Sequence, residues 1–109
     1  MADDRIFELR TYLAAPGKLG ALSARFRDHT VALFEKHGIG VVGFFVDEEA
    51  ETLVYLLSFD SKQGADSAWA SFREDADWLE ARRASEVDGP LTAKVESRFM
   101  TPTEYSPIR

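Results

Sequence analysis

Two apolar runs set the strongest limit on how this chain can fold. Ile39 to Val46 and Thr52 to Phe59 flank the acidic turn Asp47-Glu-Glu-Ala-Glu51. Both are short and rich in β-branched and aromatic residues, so together they predict a hairpin. Neither run has a polar face. Val42, Phe44 and Val46 alternate with Val41 and Phe45, and Val54 and Leu56 alternate with Leu53, Tyr55 and Leu57. A sheet wetted on one side alternates apolar with polar residues. Both sides of this one must therefore be covered.

The rest of the chain supplies cover for one side only. Residues 5 to 12 alternate, with Phe7, Leu9 and Thr11 on one face and Glu8, Arg10 and Tyr12 on the other, which predicts a first strand. Pro16-Gly17 ends it, and a helix is predicted from Lys18 to His37. In that helix Leu19, Leu22, Phe26, Leu33 and His37 fall within about 60° of arc. His37-Gly38 suits its C-terminus. After the hairpin, Asp60 or Ser61 can cap a second helix with Ala65, Ala68, Trp69 and Phe72 on its apolar side. Asp75 or Asp77 can restart a shorter helix that carries Trp78 and Leu79 and ends at Gly89-Pro90. A last strand from Leu91 to Met100 sets Ala93, Val95 and Phe99 opposite Lys94, Glu96 and Arg98.

The order is βαββαβ over a single domain, residues 1–109. The predicted class is α+β and ferredoxin-like: a four-stranded antiparallel sheet with helices on one face. The second face needs another cover, and a second copy of the sheet is the simplest one. A homodimer is thus expected. Its interface is assigned to Phe44, Val46, Val54 and Leu56. Glu8 and Arg98 would lie inside it, on the premise that the Phe7/Leu9 face meets the helices. Glu8–Arg98 and Arg10–Glu96 pairs would then form across the outer strands.

Composition narrows the partners. The chain has no cysteine, which excludes disulfides, thiolate nucleophiles and zinc–cysteine or iron–sulfur sites. Its net charge is −6 and it has no basic run, which argues against nucleic acid and anionic membranes. The opening Met1-Ala-Asp-Asp4 is acidic and precedes no apolar run of membrane-spanning length, so a cytoplasmic location is expected.

Candidate chemistry is sparse. Gly38-Ile-Gly-Val-Val-Gly43 is a literal G-x-G-x-x-G, but it follows a helix and enters a strand, the reverse of a dinucleotide-binding turn. His29 and His37 lie eight residues apart, so their backbones are about 12 Å apart along a helix and cannot share one metal. The Asp47–Glu51 turn lacks a calcium-loop pattern. No metal or cofactor is expected. His29 flanks the stripe beside Phe26 and Leu33, and serves either as a half-buried packing residue or as a general base in a helix–sheet pocket. Arg10 and Tyr12 could anchor an anionic or carbonyl-bearing ligand. Tyr55 and Trp69 complete the ligand-binding candidates, although aromatic residues at helical spacing are more often core.

The residues also carry a resemblance. Phe7-Glu-Leu-Arg-Thr-Tyr12, Pro16-Gly-Lys18, His37-Gly38, Val42-Gly-Phe-Phe45, Tyr55 with Phe59-Asp-Ser61, the Trp69-x-x-Phe72-x-x-Asp75-x-x-Trp78 spacing, and Glu96-Ser-Arg98 with Pro102-Thr together resemble the NIPSNAP family. The chain departs from that pattern at Ala76, where relatives often carry proline. The resemblance implies a dimeric α+β barrel, and without the Arg-rich, acid-poor leader of the family's mitochondrial members a compact bacterial form is expected. It names no reaction, because the family has no single established chemistry. Three function classes stay open: a small-molecule-binding or interaction module taking a small hydrophobic or anionic ligand, a cofactor-independent enzyme, and a purely structural subunit. The enzyme would be of the monooxygenase, isomerase or cyclase type, acting on an aromatic or polyketide-like molecule. The binding module is preferred, since no catalytic constellation stands out.

Overall fold

The computed structural model describes residues 5–109, so the acidic opening Met1–Asp4 lies outside the described residues. Strand β1 spans Ile6–Ala14, β2 Gly40–Asp47, β3 Thr52–Phe59 and β4 Thr92–Met100. All neighbours are antiparallel, in the order β2-β3-β1-β4. Helices α1 (Leu19–Arg25), α2 (Val31–Lys36), α3 (Lys62–Glu74) and α4 (Ala76–Ser85) supply the cover. This is the ferredoxin-like α+β arrangement that the alternating patterns predict. Among the described residues, no helix is long and apolar enough to cross a membrane.

The central strand β3 decides which face is which. Leu53, Tyr55, Leu57 and Phe59 are buried against the helices, and Thr52, Val54, Leu56 and Ser58 alternate onto the open side. Inside, Phe26, Phe34, Phe44 and Tyr55 form a cluster of edge-to-face, tilted and, for Phe34 and Phe44, parallel rings with centroids 5.2–6.5 Å apart. Such pairs add about 0.5–1.5 kcal/mol each beyond their buried area. Trp69, Phe72 and Leu22 extend this core.

The expected faces of β1 are reversed. Tyr55 stands opposite Arg10, so Glu8, Arg10 and Tyr12 point toward the helices, while Leu9, Thr11 and Leu13 share the open face with Leu56, Val54 and Thr52. Phe44 pairs with Tyr55 and Val46 with Leu53, which puts both on the helix side. Their assignment, and that of Glu8, to the open face is therefore corrected. Only Val54, Leu56 and Arg98 of that set lie there, joined by Phe45, which pairs with Val54. The strand register also rules out the expected ion pairs. Arg98 stands opposite Leu9 and Glu96 opposite Thr11, one residue out from Glu8 and Arg10. Side chains one residue apart on a strand point to opposite faces.

The first helix is not continuous. Phe26–Thr30 forms a π-helical turn between α1 and α2, and the Thr30 hydroxyl donates to the carbonyl of Arg25, five residues back. A π-bulge accommodates one extra residue and rotates the rest of the helix about its axis. Thr30 turns inward in place of His29 as a result, and Arg25, Phe26 and Thr30 are all buried. The other helix ends obey the expected chemistry. Gly38 takes φ +71° just past α2. Ser61 caps α3 by accepting from the Gly64 amide at 2.9 Å, and Asp75 caps α4 by accepting from the Asp77 amide at 2.8 Å. The break between α3 and α4 therefore forms without the family's proline.

Candidate ligand site between helices and sheet

A cavity of about 230 Å³ lies between the sheet and the helices. Its floor is the inward face of β1. Glu8 is 1% exposed and fully engaged: it accepts from Trp69 Nε1 at 2.6 Å, from Arg10 Nη1 at 2.8 Å and from the Ser97 hydroxyl. A lone buried carboxylate would be costly, and three donors around this one offset the loss of water. Arg10 in turn donates through Nε to Tyr55 at 2.9 Å and through Nη2 to Tyr12 at 3.0 Å. Tyr55 donates to Tyr12 at 2.8 Å.

This chain of bonds holds the guanidinium in place. Burial works against its charge, but Tyr55, Tyr12 and Glu8 outweigh it, and the pKa of Arg10 lies above its ordinary value. Burial, then Tyr12, pushes the Tyr55 phenol well above its usual range despite Arg10, so Tyr55 is a neutral donor. The Tyr12 hydroxyl accepts from both neighbours, and its own proton has no acceptor among the described residues.

The helices supply the walls. Arg10 lies over the Trp69 ring at 4.4 Å, and Arg25 over the Trp78 ring at 5.1 Å. Trp78 itself packs on Phe72 at 4.9 Å, because the break at Asp75 folds α4 back over the end of α3. Arg25 reaches from α1 to the end of α4, where its Nη1 donates to Ser85 Oγ at 3.2 Å and to Glu86 at 3.1 Å. Its Nε is buried with no partner. Such a donor is normally satisfied, and leaving one orphaned costs about 1–3 kcal/mol. Arg73 and Arg82 stand exposed at the rim with Val95 of β4.

Four of the five ligand candidates, Arg10, Tyr12, Tyr55 and Trp69, are thus brought together. His29 is not. It is exposed on the π-turn, facing a shallow groove toward Asp77 and Glu80 of α4, and it cannot act as a base inside the cavity. His37 is structural: its Nε2 sits 2.7 Å from Asp75 Oδ2, tying the end of α2 to the start of α4. Arg25, Thr30 and Arg82 were not singled out from the sequence, and Trp78, at helical spacing with Trp69 and Phe72, reads there more readily as core. An arginine three residues after Leu22, on the flank of an apolar stripe, was the available signal for Arg25.

The literal glycine motif is explained by packing. Gly38 closes a helix, a Cβ on Gly40 would meet Ser58 Oγ at 2.6 Å, and Gly43 lies at a bulge under the Phe45 ring. Among the described residues, no group of three or more His, Asp or Glu side chains converges to hold a metal.

Fold and cavity define a ferredoxin-like α+β protein with an arginine- and tryptophan-lined pocket on the helix side of its sheet. The chain belongs to the NIPSNAP family, whose sequence profile matches residues 7–107. It is similar to a NIPSNAP family protein of unknown function from Agrobacterium tumefaciens str. C58, at 23% identity over all of this chain and 97% of that one, with a TM-score of 0.86. A NIPSNAP-like domain protein from Burkholderia xenovorans is 18% identical over 97% of this chain and 91% of that one, with a TM-score of 0.85. SnoaB, a cofactor-independent oxygenase from Streptomyces nogalater, shares the fold more loosely: 16% identity over 95% and 98%, with a TM-score of 0.67. None of the curated proteins matches the chain.

Proposed function

We propose that this NIPSNAP protein is a homodimeric small-molecule-binding module whose ligand occupies the helix–sheet cavity. The observation that carries the reading is the cavity itself, where Arg10, Tyr12 and Arg25 converge between Trp69 and Trp78. Convergent polar groups on an aromatic-lined cavity are the usual anatomy of a small-molecule site. The homodimer is supported by the open sheet face, where Phe45 is 65% exposed and Leu9, Val54 and Leu56 continue an apolar surface. A cytoplasmic location is part of the same proposal.

A catalytic reading has one specific support, the same Tyr12 hydroxyl, which could give or take a proton at a bound ligand. The oxygenase activity of SnoaB lends it an analogy of fold only. With His29 outside the cavity, binding is the better-supported function.

The test uses a metabolite extract passed over the folded protein, then gel filtration, denaturation and mass spectrometry of the retained compounds. A small molecule held by the wild type and lost in Thr30→Phe, which fills the cavity, is the expected result. Equal retention by both, or none by either, would point instead to an interaction module with no ligand in this cavity.

A further inference from the structure

We infer that the cavity takes a flat, apolar molecule carrying a single carboxylate, with the anion held between Arg10 and Arg25. The inference rests on the binding reading above and adds the ligand's chemistry. Its first support is charge. Four guanidiniums, those of Arg10, Arg25, Arg73 and Arg82, line the cavity or its rim, against only the carboxylates of Glu8 beneath it and Glu86 beside it. The chain as a whole carries −6, so a local positive excess here runs against its overall charge. A low-dielectric pocket strengthens that field, and it selects an anion.

The second support is geometry. Arg10 and Arg25 both lie over indoles, at 4.4 and 5.1 Å, which engages their faces. Beyond the bonds to Glu8, Tyr55, Tyr12, Ser85 and Glu86, Arg10 keeps one N–H on each Nη and Arg25 keeps its Nη2. Guanidinium edges match a carboxylate in the plane of the fork. Arg25 Nη2 makes no hydrogen bond among the described residues, and Tyr12 has a proton to donate to the same group. The third support is the remaining surface. Apart from the charged groups, Tyr12, Thr30, Thr92 and Val95, the walls are rings: Phe26, Phe34, Trp69, Phe72 and Trp78. These rings fit a planar body and offer it few hydrogen bonds. The volume of about 230 Å³ equals roughly eight waters, room for one or two fused rings and a carboxylate.

The only two tryptophans of the chain, Trp69 and Trp78, both line the cavity, so intrinsic fluorescence reports on it directly. Naphthoate, its neutral amide naphthamide, and naphthalene are titrated into the purified protein under identical conditions. Naphthoate is expected to give a saturable change, with the amide and the hydrocarbon at least tenfold weaker. Arg25→Met should weaken naphthoate at least tenfold and leave naphthalene unchanged. Arg73→Gln, at the exposed rim where folding is not at stake, should weaken naphthoate a few-fold. If the amide or naphthalene binds as tightly as the acid, the anion assignment is overturned while the cavity remains a binding site. If none of the three binds up to millimolar concentration, the flat-carboxylate assignment falls as well. The binding reading would then stand or fall on the metabolite-retention experiment alone.

Discussion

Glu8 shows how a single residue can reverse the apparent logic of a strand. Alternation alone turns the apolar Phe7/Leu9 face toward the helices, and the Glu8-Leu-Arg-Thr-Tyr12 segment is then read with its charged face on the far side of the sheet, at the dimer interface. The charged face instead points inward, because its members satisfy one another. Glu8 takes donors from Trp69, Ser97 and Arg10, and Arg10 passes its other donors to Tyr55 and Tyr12. A network of this kind is costly to break at one point. Glu8→Ala leaves the Arg10 charge buried without its carboxylate, and the expected loss is about 3 kcal/mol or more. Asp66→Ala removes the exposed partner of Lys62 and should cost at most about 1 kcal/mol. Urea melts of the two variants decide the matter, and equal small losses would mean that the β1 network is solvated.

At the scale of elements, the joint between α2, α3 and α4 positions the tryptophan wall. Asp75 caps α4 and also receives Lys36 and His37, each at 2.7 Å, with its side chain only 4% exposed. Lys36 first, then His37, holds its carboxyl well below the usual carboxylate range. A depressed folded-state pKa contributes stability that is complete above the unfolded value near 3.9 and is lost as pH falls below it. Asp75→Asn keeps a capping oxygen and removes the charge. The wild type should therefore exceed this variant in stability at neutral pH, and the gap should close from about pH 4 downward. Thermal melts from pH 7 to pH 2 measure it, and a gap that stays constant across that range would refute the ionic account. The π-turn is the other joint that matters here, since its extra residue brings Thr30 into the cavity and sends His29 out.

For the molecule as a whole, the helices leave one sheet face open. That face carries Phe45, Leu9, Leu13, Val54 and Leu56, with Lys94, Glu96 and Arg98 of β4 on its flank. An apolar centre with a charged border is the anatomy of a protein interface. On the proposed dimer, Phe45→Asp should convert the wild type to monomer or aggregate, because an unpaired charge would be buried at the centre of the contact. Phe44→Asp should instead unfold the protein, since that ring sits in the core against Phe26 and Phe34. Sedimentation of the wild type at the 12.2 kDa chain mass across micromolar concentrations would sink the dimer.

The sequence by itself determined the order of elements, the antiparallel hairpin and the family, and it narrowed each helix cap after the hairpin to two residues, between which the structure chose Ser61 and Asp75. These depend on local periodicity and capping chemistry, which any stretch of ten residues displays. It also marked Arg10, Tyr12, Tyr55 and Trp69 as ligand candidates. Only the tertiary structure decided which face of β1 is buried, because Glu8 and Arg10 need Trp69 and Tyr55, 61 and 45 residues away in the chain, to be satisfied inside. Likewise, only the structure placed Arg25 and Trp78 in the site and removed His29 from it. One extra residue in a π-turn shifts every later side chain around the helix, and a 3.6-residue period applied to the sequence carries no sign of it.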